Sequence, residues 1–482
     1  MVKASVCRML IFTTVLVYCC NYQLYLEYVV NNLAQTLQIW IGAQLGSEKA
    51  AHSIWSIFVS SLLFGKIFGP LVSSRLAERF GRKKAMLICC CLYLVSGLLT
   101  GLAQPCSSFP LLWIGRLLTG FTVGMANVLP SLWITEAAPR KWRGFFGSFQ
   151  VWGNSFAAIV ANTVTLPGAL STQATWPIAM LIGIAPITIL APVIAISFPE
   201  SPRFLFYKRN KPIQLHKSIV FYQGIDKVDD VLSDMQSEQV EAGARSRQSI
   251  SFWQFARDRR NSKRLLLVMT LLGITHVDMS RVLDVYSSIV ITAAGWSFNS
   301  AAVATLITSI AKTVVCPVVL AFNDRTGRRL PIILASLAVT ASLLIMSLTF
   351  AFCPPGALAG AIVCTCQAVS RVIHGIYQGN GQIVMAEILE QNSRAKVVAA
   401  TRVVCYSVAF LMTLSFLPVA HLAGWWCPFA IAFLFTLIRT LICVRKLHET
   451  RRQQLGHILS SRPASIVVAE DQVPLNPSHH PD

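Results

Sequence analysis

Long apolar runs separated by short polar segments dominate this sequence. Twelve of the runs have the length of roughly 20 residues that an α-helix needs to cross the hydrocarbon core of a bilayer. They lie in two sets of six, at residues 8–30, 53–75, 85–103, 111–133, 145–166 and 176–198, and then at 265–294, 299–322, 330–352, 357–386, 396–420 and 424–444. The pattern predicts an all-α polytopic membrane protein with twelve transmembrane helices.

A polar segment separates the two sets of apolar runs. It mixes both charge signs, which is typical of short amphipathic helices at a membrane surface. The chain end is rich in Ser, Pro and His, a composition that favours disorder. The predicted units are an N-terminal six-helix bundle, a cytoplasmic central loop with short helices, a C-terminal six-helix bundle and a disordered cytoplasmic tail, at residues 1–198, 199–263, 264–446 and 447–482.

Charge is scarce and its placement is informative. Only 13% of the 482 residues are charged, 54% are hydrophobic, and the net charge is +20. The Lys and Arg residues lie in short blocks between apolar runs, which argues against a nucleic-acid partner and for a lipid bilayer. The blocks occupy alternate loops, and the opposite loops contain Lys49 and no other Lys or Arg. Basic loops face the cytoplasm, so both termini and the central loop are predicted to be cytoplasmic.

The two halves repeat a charged motif in corresponding loops. The sequence Glu-Arg-x-Gly-Arg follows the second run at 78–82, and Asp-Arg-x-Gly-Arg follows the eighth at 324–328. Each half also has a Glu and an Arg separated by six residues in a later loop, at 136 and 143 and at 387 and 394. An internal duplication with paired charge clusters is typical of two bundles that rock around a central site.

These motifs resemble the signature of the major facilitator superfamily. GRLLTG, PSLWITE, FPESPRFL and HET, at 115–120, 130–136, 198–205 and 448–450, are similar to sugar-porter motifs, and the likeness to animal facilitative glucose transporters covers about residues 10–450. The resemblance implies the major facilitator fold, with two six-helix bundles and a cytoplasmic salt-bridge network that forms and breaks as the carrier alternates. By that resemblance the network comprises Arg79, Arg82, Glu136, Arg143, Glu200 and Arg203 in the first half and Arg325, Arg328, Arg329, Glu387 and Arg394 in the second.

The resemblance also implies a solute site near the midplane, where this chain keeps only part of the expected set of amides. Gln150, Asn31 and Tyr286 match family positions in spans five, one and seven. Elsewhere the expected neutral residues are replaced by other polar or charged ones, namely His276, Arg281, Lys312, His374 and Gln382. Lys66 and Arg402 also lie inside predicted spans, and the sequence assigns them no role.

Charges inside a membrane are costly, so they face a partner or a cavity. In one interpretation Arg281 pairs with Asp278 or Asp284, and the other bases find similar partners. In the other interpretation the bases form a cationic lining, because spans seven to eleven contain four Arg or Lys and two Asp. The sequence therefore predicts a carrier of a hexose or a similar small polar solute, with an organic-anion carrier or a non-transporting sensor as alternatives.

Proton coupling is tested by one position in the first span. Proton-coupled relatives have an Asp aligned near Leu26, whereas Glu27 is one residue along and therefore rotated by about 100° around the helix. This favours facilitated diffusion over symport. The sequence has no catalytic triad, metal-ligand spacing or Walker loop, so we expect no enzyme activity, cofactor or metal. The resemblance favours the plasma membrane, and we expect the chain to function as a monomer.

Overall fold

The computed structural model describes residues 2–139, 142–209, 211–246, 257, 275–326, 329–388 and 391–446. Within these ranges the secondary structure is helical, with no strand. Some residues of the predicted sites lie outside the described residues or have side chains that the structure does not describe: Arg143, Gln150, Arg325, Arg328, Gln382, Glu387 and Arg394.

The first half contains helices that are repeatedly interrupted. They are α1 (Val2–Asn21), a 3₁₀ turn (Tyr22–Leu24), α2 (Tyr25–Asn32), α3 (Ala34–Leu45), α4 (Glu48–Phe80), α5 (Arg82–Leu102), α6 (Phe109–Ala126), α7 (Leu129–Ala137), α8 (Arg143–Val164), α9 (Trp176–Ile182) and α10 (Ala185–Ser197). The first, fourth and sixth predicted spans each consist of more than one helix. Proline accounts for two of these interruptions, because Pro130 and Pro186 stand in the first turn of α7 and α10.

The polar segment after α10 forms a small helical unit. Its helices are α11 (Pro202–Phe204), a single π turn (Leu205–Arg209), α12 (Pro212–Tyr222), a 3₁₀ turn (Ile225–Lys227) and α13 (Val228–Ser246). Leu205, Leu215, Ile219, Val231 and Met235 form a core between them. The predicted short helices of this segment are therefore present.

The second half begins, within the described part, at the broken seventh span. Its elements are a 3₁₀ turn (Thr275–Asp278), α14 (Ser280–Ala293), α15 (Phe298–Thr326), α16 (Arg329–Phe352), α17 (Ala357–Ile388), α18 (Gln391–Ala423) and α19 (Trp426–Lys446). Together with the first half this confirms an all-α polytopic membrane protein.

Ten helical segments of the described chain are long and apolar enough to cross a membrane. The other two predicted spans are α8, with 22 residues, and the seventh span, whose described part is residues 275–293. Several helices extend beyond the apolar runs, since α4 has 33 residues where the apolar run covers 53–75. Ser47 caps the start of α4 by accepting a hydrogen bond from the Ala50 N–H, which begins the helix outside the membrane.

Small residues allow α4 to lie directly on α6. A Cβ at Gly120 would be 1.9 Å from the Leu62 carbonyl oxygen, and one at Gly69 would be 2.4 Å from that of Phe121. Close backbone contact through glycine is a general means of helix association in membranes. It holds α4 in a fixed rotation, so that Lys66, which follows the glycine at 65, is buried inside the protein.

Candidate solute site and cytoplasmic gate

Broken helices bring polar groups to the middle of the membrane. Met279, between the 3₁₀ turn and α14, has a φ of 61° and lies in the left-handed region, which is unusual for a residue other than glycine. The Asp278 carboxylate accepts a hydrogen bond of 3.0 Å from the Ser280 N–H and so caps the new start of the helix. The break therefore exposes backbone and side-chain polar groups where an unbroken helix would offer none.

Four buried ion pairs lie around this break. Lys66 Nζ is 2.5 Å from Glu27 Oε2, with both side chains 1% exposed, and the pair links α4 to α2. The Asp284 carboxylate is shared by two arginines, with Oδ2 at 3.2 Å from Arg281 Nη1 and Oδ1 at 3.3 Å from Arg371 Nε. His374 Nδ1 is 2.8 Å from Asp278 Oδ2, a pair that joins α17 to the 3₁₀ turn.

The pairing interpretation thus describes Arg281, whose partner is Asp284. Lys312, on α15, also interacts electrostatically with Asp284. One carboxylate consequently faces three bases, and a local excess of positive charge persists. His276 and His374 extend this polar cluster, with ring centroids 5.7 Å apart.

Sequence reasoning missed the Glu27–Lys66 pair, although both residues were visible as charges within apolar runs. Opposite charges at similar depth in two neighbouring spans are the sequence signal from which this pair could have been predicted. Lys66 also lies over the Tyr406 ring of α18, 5.8 Å from the centroid, which connects the pair to the second half. Arg371 is one of the four bases counted in spans seven to eleven. The sequence does not show that it shares Asp284 with Arg281, because that depends on their proximity in the folded protein.

Amides and hydroxyls join the two halves nearer the outer face. Ser288 Oγ donates to Asn32 Oδ1 at 2.9 Å and accepts from Asn31 Nδ2 at 3.2 Å. Farther along the interface Asn162 Nδ2 donates to Ser309 Oγ at 3.1 Å. In this structure the amide of Asn31 therefore holds the halves together.

Several buried polar atoms in the centre have no hydrogen-bond partner among the described residues. They lie on the broken seventh span and on α17: His276 Nδ1, Ser280 Oγ, Gln367 Nε2, Ser370 Oγ, Arg371 Nη1 and His374 Nε2. Unpaired buried donors and acceptors are costly. A polar solute in the centre would satisfy them. Tyr286, the matched span-seven tyrosine, is buried with its ring stacked on Phe416, centroids 5.4 Å apart.

A second polar cluster lies at the end of the first half where α4 meets α5 and where α7 ends. Arg82 Nη2 is 2.6 Å from Glu136 Oε1, and the Ser201 hydroxyl donates to the other oxygen of Glu136. Arg82 is also held over the Phe204 ring, 5.0 Å from the centroid. The cluster ties the start of α5 to the end of α7 and to the loop after α10. Ser201 was not among the predicted gate residues.

Glu200 completes this cluster through the backbone. Its Oε1 accepts hydrogen bonds from the N–H groups of Arg82 at 2.9 Å, Lys83 at 3.2 Å and Ser201 at 2.9 Å. Burial raises the pKa of the Glu200 carboxyl, while these N–H donors act in the opposite direction. Gly81 makes the arrangement feasible, because it has a φ of +100° and a Cβ there would be 2.2 Å from Glu200 Oε2.

Other predicted gate residues are placed less centrally. Arg79 is exposed and lies against the Phe80 ring, with Cζ 5.3 Å from the centroid. Arg203 is half-buried on α11 and makes a further interaction. Arg329 donates to the Val444 carbonyl at 3.2 Å, which ties α16 to α19. The structure thus brings together Arg82, Glu136 and Glu200.

Arg116 lies behind the first span. Its Nη1 donates to the Leu26 carbonyl at 3.3 Å, and its guanidinium covers the Phe58 ring at 5.2 Å. Its other two guanidinium nitrogens, Nε and Nη2, have no hydrogen-bond partner among the described residues.

Broken central helices, buried polar contacts between the two halves and a charged cluster around Arg82 and Glu136 characterise this membrane protein. The family model described as "Sugar (and other) transporter" matches residues 13–460, and the chain belongs to this family. Among curated relatives it is 26% identical over 300 residues to human solute carrier family 2, facilitated glucose transporter member 4, covering 61% of this chain and 58% of that protein. It is 31% identical over 193 residues to a facilitated glucose transporter homolog of Caenorhabditis elegans, covering 40% of this chain and 37% of that protein.

These matches span less than two thirds of the relatives' own lengths. Solved structures cover more of the fold. The inward-open xylose transporter XylE of E. coli superposes with a TM-score of 0.76 over 93% of this chain and 99% of that chain, at 17% identity. A partially occluded inward-open form of the same transporter gives 0.75 at 19% identity. The predicted major facilitator fold is thereby confirmed.

Proposed function

We propose that this protein is a secondary transporter that moves a hexose or a similar small polar solute across a membrane by alternating access. The observation that carries the proposal is the set of buried polar atoms on the seventh span and α17 that have no hydrogen-bond partner among the described residues. Hydroxyl groups of a sugar would serve as both donors and acceptors for these atoms. The relatives named as facilitated glucose transporters support the same class of cargo.

Facilitated diffusion fits the structure better than proton symport. The nearest acid to the expected coupling position is Glu27, which is already paired with Lys66. We therefore expect uptake to persist when the proton gradient is collapsed, and a loss of uptake under that condition would argue for symport.

A second candidate is an organic-anion carrier on the same fold. It is supported by Asp284, which faces Arg281, Arg371 and Lys312. Three positive side chains around one carboxylate would favour the binding of a second negatively charged group. A solute carboxylate could supply that charge. We infer, however, that the existing ion pairs make the site less cationic than the residue count suggests.

The experiment is counterflow in proteoliposomes with labelled glucose, fructose and a panel of organic anions. Glucose or fructose exchange that is lost in Gln150→Ala supports the sugar carrier. Exposed Gln35 on α3 provides a matched control, and Gln35→Ala should leave exchange unchanged. Anion exchange that is lost in Arg281→Ala or Lys312→Ala would support the second candidate instead. Exchange of no solute at all would favour a non-transporting sensor and contradict both.

The remaining parts of the proposal follow from charge placement and family. We infer that both termini are cytoplasmic, that the protein resides in the plasma membrane and functions as a monomer, and that it is not an enzyme. The division into units at 1–198, 199–263, 264–446 and 447–482 is part of the same proposal. Cysteine-scanning accessibility from each side of sealed vesicles would test the orientation, and an outward-facing central loop would contradict it.

A further inference from the structure

A basic cavity lies on the cytoplasmic side of the first half, apart from the solute site. It has a volume of about 520 Å³ and is lined by Lys83 and Lys84 from α5, by Arg209 and Lys211 from the segment between α11 and α12, and by Lys217 from α12. Its apolar wall includes Leu87 and Phe204. The five bases come from segments more than a hundred residues apart in the chain, so the fold has to assemble them.

The one acid among the lining residues can offset at most one of the five positive charges. Glu200 contributes to the lining, but its Oε1 is engaged by the backbone N–H groups of Arg82, Lys83 and Ser201. Within the described part of the chain none of the five bases has a carboxylate within salt-bridge distance. Like charges held together repel one another. A bound anion would relieve this repulsion.

The side chains and the helix start around the cavity indicate which chemical group would supply the negative charge. Arg209 is positioned by the Phe204 ring, with Cζ 5.8 Å from the centroid, so its guanidinium is oriented rather than free in solvent. The first turn of α12 has no side-chain cap, and Lys211 and Gln214, at its start, both line the cavity. Guanidinium groups, ammonium groups and uncapped helix N–H groups together suit phosphate oxygens. Because the cavity contains several bases, it can bind a ligand that has more than one phosphate group.

The depth of the cavity in the membrane points to a ligand at the headgroup level. Lys83 and Lys84 lie in the first turn of the membrane-crossing helix α5, and Leu87 lies one turn further in. The cavity therefore opens where inner-leaflet headgroups meet the acyl chains, a place where clustered bases attract anionic lipid.

We propose that this cavity is a binding site for a polyphosphorylated ligand, such as the phosphorylated inositol ring of a lipid headgroup or its soluble counterpart. The site is separate from the solute path, so binding does not require transport. It does lie against the Glu200 loop, which is hydrogen-bonded to the start of α5.

The test uses the purified full-length chain and two probes. One probe is phosphatidylcholine vesicles with and without phosphatidylinositol bisphosphate, and the other is soluble inositol trisphosphate. The pocket variant combines Lys84→Gln, Lys211→Gln and Lys217→Gln, all at exposed positions. The matched control combines Arg75→Gln, Lys227→Gln and Arg445→Gln, which are also exposed and remove the same charge away from the cavity.

We expect the wild type and the control triple to bind alike, and the pocket triple to bind at least about tenfold more weakly. The unliganded melting temperatures of both triples should match that of the wild type, which shows that the fold is kept. Binding of the vesicles without binding of inositol trisphosphate would assign the site to a lipid, and equal binding of both would assign it to the phosphorylated ring itself. Equal weakening in the two triples, or no binding of either probe by the wild type, would overturn the proposal.

Discussion

Lys66 and Glu27 form a buried ion pair whose two members come from different spans of the first half. Neither side chain has access to water, since each is 1% exposed. An unpaired charge at this depth is far more costly than the pair itself. The partnership therefore fixes the rotation of α2 against α4, next to the proposed solute site.

A double-mutant cycle tests the pair. Lys66→Met should destabilise the protein by about 3–5 kcal/mol, because it leaves the Glu27 carboxylate buried without a partner. The double variant with Glu27→Gln should recover much of that loss, because both charges are then gone. The measurement is thermal unfolding of the detergent-solubilised protein. Lys49→Met, at an exposed lysine on the same helix, should have little effect. Glu27→Gln alone completes the cycle, and a destabilisation of the double variant equal to the sum of the two single effects would show that the charges are not coupled.

The loop between α4 and α5 shows how one turn joins several elements at the same end of the first half. Gly81 ends α4, Arg82 begins α5, and the N–H groups of the first α5 residues reach Glu200. The side chain of Arg82 meanwhile reaches Glu136 at the end of α7. A single turn therefore connects three elements, and a substitution in it should act on the conformational switch.

Arg82→Gln should reduce solute counterflow by about tenfold or more, because charge-assisted hydrogen bonds contribute about 1.5–3 kcal/mol each. The amount of protein in the membrane should be unchanged. Combining it with Glu136→Gln should cause less further loss than the sum of the two single effects, since both substitutions remove the ion pair that the two residues share. Arg75→Gln, at an exposed arginine on α4, serves as the control. Full activity of Arg82→Gln would remove this residue from the gate. The same loss is predicted for Arg143→Ala and Glu387→Gln.

The apolar runs predicted the helical elements well, because the bilayer allows few ways to satisfy backbone hydrogen bonds. The breaks within spans were harder to predict. Pro130 signals the start of α7, but Met279 carries no turn signal, and its left-handed conformation is determined by the capping Asp278 and by packing. The ion pairs could not be predicted from the sequence, because it gives no distances between spans. A one-dimensional pattern shows that Arg371 requires a partner and gives no distance to Asp284.

At the scale of the whole molecule, the described polar contacts between the halves lie toward the outer face. Ser288 binds Asn31 and Asn32, and Asn162 binds Ser309. These contacts close the interface between the halves at that end. Each contact is a neutral hydrogen bond, and such bonds between membrane helices contribute only about 0.6 kcal/mol on average. A closure held by weak contacts can open at each transport cycle.

Removal of the Ser288 hydroxyl should shift this equilibrium toward the outward-open state. Ser288→Ala deletes the hydrogen bonds to the side chains of Asn31 and Asn32, which together are worth about 1 kcal/mol, so the open fraction should rise roughly three- to fivefold. Labelling of an introduced Ser309→Cys by a membrane-impermeant maleimide would report the opening, measured against the parent that lacks this cysteine. Ser342→Ala is the matched control, because the Ser342 hydroxyl binds the Ala338 carbonyl within its own helix. If Ser288→Ala labelled at the same rate as the control, the outer contacts would not determine the resting state, and the gate at Arg82 would have to do so alone.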